Sequence, residues 1–365
     1  MTRATRAVID LAAFRHNLQI SRQAAPHSKQ LAIIKAHAYG HGMIHAAQAL
    51  DEADGFGVAI LEEAIALREA GISKPIILLE GFASAADLNL IRGYRLDCVI
   101  HHVSQVEILE QASGTPIPVW LKIDTGMHRL GFPPHQANEM YQRLMSCPAV
   151  QKPLRLMTHF ANADDPDDNT TEQQIKTFYE SFDFDAENGA DCDCSLANSA
   201  GILGWPASHA QWVRPGIMLY GVTPFMHGTG KDYSLQPVMT LQAELIAVNR
   251  FNKGDAIGYG GSWICPEEMP IGVVAIGYGD GYPRHAQSGT PVLVNGQRCQ
   301  IVGRVSMDMV TVDLRNQPNA EVGDEVILWG NGLPVEEVAS SAGTIAYELL
   351  CGVTNRVRFE YINQV

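Results

Sequence analysis

The sequence predicts an α/β chain: an N-terminal (β/α)8 TIM-like barrel over residues 1–232 and a mostly β C-terminal domain over residues 233–365. Three observations lead there. Eight short apolar runs alternate with amphipathic, helix-like segments along the first part of the chain. After residue 232 that alternation gives way to strand-like runs separated by turn residues. No G-x-G-x-x-G opens a helix after the first run, which weakens the case for an open doubly wound sheet.

The eight runs are LAIIKA (31–36), GFGVAI (55–60), PIILLEG (75–81), LDCVIHH (96–102), IPVWLKID (117–124), LRLMTHFA (154–161), CDCSLAN (192–198) and WVRPGIMLYG (212–221). Between them lie HAAQALDEA, LEEAIALREAG, SQVEILEQA, HQANEMYQRLM, TTEQQIKTFYESF and the short AGILGW. Eight strands in about 220 residues suit a closed parallel barrel, which typically takes about 250. HGTGKDYS (227–234) has the composition of a linker. Beyond it come LQAELIAV, IGVVAIGYGDGY, TPVLVNGQRCQIVG, MVTVDL and DEVILWG, with turns at Asn295-Gly296 and Gly323-Asp324. Two helix-like runs, VEEVASSAG and IAYELLCG, follow.

Composition narrows the function. With 365 residues and 46% hydrophobic content the chain buries a large core. A net charge of −14 with no Lys/Arg run argues against binding nucleic acid. Seven cysteines at irregular spacings suggest no disulfide framework. The start, MTRATRAVIDLAAFRHN, lacks an apolar signal core, and no later stretch is long enough to span a membrane. The expectation is a soluble, reduced, cytoplasmic protein.

In a βα barrel the chemistry sits at the C-terminal ends of the strands. There the sequence places Lys35 and Tyr39 after the first run, Lys122 and Arg129 after the fifth, His159 after the sixth, Ser199 after the seventh and Arg214 on the eighth. A strand lysine read alone snorkels to solvent. In a barrel mouth it is desolvated and primed for Schiff-base chemistry. The arginines supply charge for an anionic ligand, and Ser199 with the amides of Gly216 and Ile217 could receive a phosphate. Together these residues suggest a phosphorylated cofactor held by a lysine. His37, His41 and His45, spaced by four, and Cys192 with Cys194 read better as packing or solvated residues than as metal ligands. The acidic cluster 164–169 reads as a solvated loop rather than a calcium site.

Lys35-Ala-His-Ala-Tyr39-Gly-His-Gly resembles the signature around the cofactor lysine of alanine racemases. The resemblance runs on through Lys122-Ile-Asp-Thr-Gly-Met-His-Arg129, Thr-His159-Phe-Ala, Ala-Asn-Ser199 and Arg214-Pro-Gly-Ile. It continues in Gly-Tyr259-Gly, Gly-Tyr278-Gly-Asp-Gly-Tyr282, Gly-Arg304-Val-Ser-Met307-Asp308 and Ala-Tyr347-Glu-Leu. It implies pyridoxal 5'-phosphate, alanine as substrate, and a homodimer whose sites are completed across the interface. By the same resemblance Lys35 carries the cofactor, and Tyr39, Ser199, Gly216, Ile217 and Tyr347 surround its phosphate. Arg214 faces the pyridine nitrogen, Arg129 supports the substrate carboxylate, and His159 links Tyr259 to Arg214. Tyr259, the second base, and Met307 enter from the partner. Lys122 matches a lysine that some members carbamylate, while Asp164, Arg284, Arg304 and Ile345 match the substrate corridor. Two positions depart from the pattern: His37 stands where Asn is usual, and Ser306 where some members have Cys.

Three other functions fit parts of this sequence. A broader racemase for serine or lysine would use the same pair of bases. A non-catalytic cofactor-binding barrel would lack the β domain. A decarboxylase of related barrel type would carry a cysteine-aspartate substrate motif that is missing here.

Overall fold

The computed structural model describes residues 4–182 and 193–364. Strand β1 (Arg6–Asp10) opens the chain and leads into a helix, Leu11–Ala24, capped by the Asp10 carboxylate, which accepts the Ala12 amide at 2.9 Å. Neither element was expected from the sequence.

The barrel follows. Its strands are β2 (Lys29–Ile33), β3 (Gly55–Val58), β4 (Ile76–Leu78), β5 (Asp97–Ile100), β6 (Ile117–Lys122), β7 (Val150–Met157), β8 (Cys194–Ser195) and β9 (Trp212–Val213). Each runs parallel to the next, and β9 returns to β2 to close the ring. Each expected run overlaps one of these strands. β3, β4 and β5 are buried throughout, because side chains fill the barrel on one face and helices cover the other. Glycine is needed at one contact inside: a Cβ on Gly57 would stand 2.6 Å from Ile33 Cδ1.

The remaining strands are β10 (Met239–Phe251), β11 (Ala256–Ile257), β12 (Trp263–Ile264), β13 (Met269–Val274), β14 (Pro291–Val294), β15 (Gln297–Val302), β16 (Val310–Asp313), β17 (Glu325–Trp329) and β18 (Arg358–Ile362). The larger sheet has the order β13-β16-β15-β14-β17-β10-β1-β18, and β13 also pairs with β10. The turn between β14 and β15 is the expected Asn295-Gly296, with φ of 48° and 75°, the left-handed pair that suits a tight hairpin. Two helices, Val335–Ala342 and Ala346–Gly352, complete the unit.

β1 thus belongs by pairing to the second sheet, between β10 and β18. The expected boundary at residue 232 falls within a 3-10 turn, Gly230–Tyr233, that leads toward β10. Buried Asn17 ties this junction down. Its amide donates to the carbonyls of Leu219 and Gln236 at 3.0 and 2.8 Å, and its oxygen accepts the Gln236 amide at 2.8 Å.

No helix among the described residues is long and apolar enough to cross a membrane. Cys98, Cys147, Cys265, Cys299 and Cys351 are free thiols, and Cys192 lies outside the described residues. No described cluster of His, Cys, Asp or Glu could hold a metal ion.

Candidate active site

The barrel strands end sooner than the apolar runs suggested. Lys35, His159 and Arg214 all lie just past strand ends, at Ile33, Met157 and Val213. The ladder stops there because these side chains must turn over the mouth.

After Ile34 the backbone does something no pattern announced. Ala36, His37, Ala38 and Tyr39 all adopt left-handed conformations, with φ of 52°, 55°, 55° and 46°. Each such non-glycine residue costs roughly 1–2 kcal/mol, so neighbouring contacts must hold the turn. Two groups bond directly to it. Glu63 accepts the Ala36 amide at 2.7 Å and the Ala59 amide at 2.9 Å. His41 Nδ1 lies 3.0 Å from the Ala38 carbonyl and 2.9 Å from that of Tyr39. The left-handed turn also separates the three evenly spaced histidines. His37 is exposed, His41 is fully buried, and His45 stacks on Tyr361 at 3.7 Å. Histidine at position 37 has a conformational reason, since Asn, Asp and His tolerate positive φ better than most residues.

The turn delivers the Tyr39 ring onto Tyr220, stacked at 4.6 Å and 16°, while the Tyr220 hydroxyl donates to the Ile33 carbonyl at 2.8 Å. Tyr347 leans in at 5.6 Å from its own helix. Burial pushes the Tyr39 and Tyr347 phenols well above their ordinary range, so both are neutral hydroxyls. Across from Tyr39, the Ser199 hydroxyl accepts the Gly216 amide at 2.8 Å and the Met218 amide at 3.4 Å. A Cβ on Gly216 would sit 3.2 Å from the Tyr39 hydroxyl and 3.7 Å from that of Ser199. Gly216 therefore leaves a cradle rimmed by two hydroxyls that any larger residue would fill.

Arg214 forms the buried floor. It donates to the carbonyls of Ser195 at 2.8 Å, Thr158 at 2.6 Å and Leu196 at 3.1 Å, and to the Ser195 hydroxyl at 2.7 Å. Burial lowers its pKa to about 10, which leaves it charged at neutral pH. It also donates to His159 Nδ1 at 3.1 Å. Desolvation, then Arg214, Lys122, Arg129 and Lys35, hold the His159 imidazole well below its usual range. Lys122 is lowered to about 8, by burial first and then by Arg214, Arg129 and Lys35. Four cationic side chains thus surround one neutral imidazole, an arrangement that favours anions. The Asp124 carboxylate shapes the loop that carries Arg129 by accepting the amides of Gly126 and His128 at 3.0 and 2.9 Å.

Of the residues expected from the β domain, Tyr347 reaches the site, whereas Tyr259 and Met307 do not join this cluster. Tyr259 is 71% exposed. Among the described residues no hydrogen bond links it to Lys35, Arg129, His159 or Arg214. Arg304 passes beside its turn, with the guanidinium 3.6 Å from where a Cβ on Gly260 would stand. Met307 is exposed on a loop shaped by Ser306. The Ser306 hydroxyl donates to the Met309 carbonyl at 2.7 Å and accepts its amide at 3.1 Å. A serine at 306 therefore closes its own turn. Asp164 lies close enough to Tyr347 to raise its pKa, whereas Arg284 and Ile345 are exposed at the surface.

The whole chain, with this site in it, has known counterparts. The N-terminal domain of alanine racemase matches residues 9–224, and the C-terminal domain matches residues 238–361. The chain belongs to the alanine racemase family. Curated members include the alanine racemase of Nitrosococcus oceani, 53% identical over 96% of this chain and 97% of that protein. That of Vibrio parahaemolyticus is 52% identical over 98% of this chain and 99% of its own. Among solved structures, the biosynthetic alanine racemase of Pseudomonas aeruginosa superposes with a TM-score of 0.94 at 47% identity, covering 99% of each chain. The family uses pyridoxal 5'-phosphate, and the Gly216 cradle beside Lys35 fits that group.

Sequence reasoning missed Thr158, Ser195, Tyr220, Glu63 and His41. Each supports a site residue through a backbone contact or a ring face, and no motif spacing marks such a role. Only His41 and Thr158 lay inside motifs already in view.

Proposed function

We propose that this chain interconverts L- and D-alanine with pyridoxal 5'-phosphate, using Lys35 as one base and Tyr259 of a second copy as the other. The observation that carries this reading is the Gly216 cradle, rimmed by the Tyr39 and Ser199 hydroxyls, two residues after a buried Arg214 that donates to His159 at 3.1 Å. When bound, the cofactor draws charge away from the substrate Cα and so acidifies its proton.

The chain's own residues do the rest. Lys35 holds the cofactor, while the hydroxyls of Tyr39, Ser199 and Tyr347, with the backbone of Gly216 and Ile217, receive its phosphate. Arg214, charged at neutral pH, would donate to the ring nitrogen and keep a proton off it. Arg129, with Met307 of the second copy, holds the substrate carboxylate. Racemisation takes a proton from one face and returns one to the other, so bases are needed on both. Lys35 serves the face that exchanges with D-alanine, and Tyr259 the face that exchanges with L-alanine. A phenol with a reference pKa of about 10 becomes a competent base when cations and a hydrogen bond from His159 stabilise its phenolate. Asp164, Arg284, Arg304 and Ile345 line the way in. Lys122, with its pKa near 8, is partly unprotonated in mild base and can take up carbon dioxide as a carbamate beside Arg129. The same reading places the protein in the cytoplasm, as a homodimer.

Mixing tests the shared site. Lys35→Ala and Tyr259→Phe chains, each inactive alone in forming D-alanine from L-alanine, regain activity when unfolded and refolded together, because mixed dimers contain one intact pair. No recovery would place both bases in one chain.

A further inference from the structure

We propose that Glu63 and His41 are positioning residues that clamp the left-handed turn 36–39 from its two ends and so fix the spacing between Lys35 and the Tyr39 hydroxyl. This rests on the reading that Lys35 holds the cofactor and Tyr39 its phosphate.

The turn lies between the two attachment points. Lys35 is its entry and Tyr39 its last non-glycine left-handed residue. At the entry, the Glu63 carboxylate bridges the Ala36 amide and the Ala59 amide, which ties the turn to the end of β3. At the exit, His41 Nδ1 faces two carbonyl oxygens, those of Ala38 and Tyr39, and therefore carries a proton. The His41 ring is fully buried against Tyr220 and Phe14, with centroids at 4.8 and 5.8 Å. Among the described residues its Nε2 has no hydrogen-bond partner. A buried nitrogen without a partner is unfavourable, so the imidazole is retained there by what Nδ1 does. Burial lowers its pKa to about 4, which leaves the ring neutral and its single proton available for the two carbonyls. Tyr220 completes the arrangement, stacking on Tyr39 while its hydroxyl holds the Ile33 carbonyl on the strand before the turn.

A ligand anchored at both ends depends on the spacing between its anchors; a ligand anchored at one end does not. Loosening the clamp should therefore weaken pyridoxal phosphate far more than pyridoxal, which lacks the phosphate. A general loss of stability would weaken both alike.

The test titrates apoprotein with each compound and follows the absorbance of the bound form, with circular dichroism confirming the fold. His41→Phe keeps the aromatic volume and removes the donor. It should weaken pyridoxal phosphate by about tenfold or more and pyridoxal by less than about threefold. His41→Asn places an N–H near the position of Nδ1 and should restore pyridoxal phosphate binding to within about threefold of the unsubstituted chain. Glu63→Met carries the same expectation from the other end and decides the matter if His41→Phe does not fold. Equal weakening of both compounds, or no weakening, overturns the proposal. The underlying reading fails separately: borohydride treatment of the unsubstituted holoprotein would then label a lysine other than Lys35.

Discussion

The Arg214 guanidinium donates to His159 Nδ1 at 3.1 Å and so fixes the imidazole as its neutral Nε2–H form. The same guanidinium serves three backbone carbonyls, which makes it a structural hub as well as a charge at the mouth. Arg214→Lys cannot reproduce the planar fork and leaves some of those carbonyls without a donor. The expected loss is about 2 kcal/mol or more, read as a lower urea midpoint of the apoprotein at unchanged slope.

Lys122 makes stability depend on pH in the alkaline range. Its folded pKa is lowered from 10.5 to about 8, so between those values the unfolded chain binds more protons than the folded one. The contribution of this residue to stability therefore rises as pH increases from about 8 to about 10.5, and its penalty is fully present below 8. Lys122→Met removes that slope. Urea unfolding of both chains across this range should show the variant's advantage shrinking as pH rises; parallel curves would contradict the assignment.

Gly216→Ala probes the cradle. The added methyl would sit 3.2 Å from the Tyr39 hydroxyl, tight enough to displace it. Affinity for pyridoxal phosphate should drop by about tenfold, and the apoprotein's thermal midpoint should fall as well, since φ −122° with ψ −101° at residue 216 lies outside the α and β regions that alanine favours.

Position 37 separates conformational from chemical demand. His37 is exposed at a φ of 55°. His37→Asn should leave stability within about 0.5 kcal/mol, because Asn also tolerates this region. His37→Val should cost about 1–2 kcal/mol, since a branched Cβ clashes in the left-handed conformation. Thermal unfolding of the two variants measures the difference.

Much of the barrel was legible because its physics is periodic. Runs such as PIILLEG and LDCVIHH have unbroken apolar centres, as strands covered on both faces should, and the segments between them repeat at helical spacing. Lys35, Lys122, Arg129, His159 and Arg214 were found because strand ends in a barrel converge on one mouth. β1 escaped notice because RAVID is short and alternates, and its partners lie more than 200 residues away. The left-handed turn escaped because no pattern of hydrophobicity encodes the sign of φ. Tyr259 was legible only through resemblance: its exposure in the structure agrees with a role in another chain, and nothing in the sequence pattern specifies which surface it meets.

β1, the first described strand, pairs with the last, β18. One of its neighbours, β18, ends three residues from the C-terminus. Until residues 358–362 have been synthesised, the earliest strand of the chain has an unpaired edge, and closing so distant a contact is slow. β18 also brings Tyr361 against His45 and into the space that the missing Cβ of Gly42 leaves open, at the exit of the turn that holds Lys35. A truncated or still-growing chain therefore lacks both a sheet partner for β1 and a wall beside Gly42 at the exit of the left-handed turn.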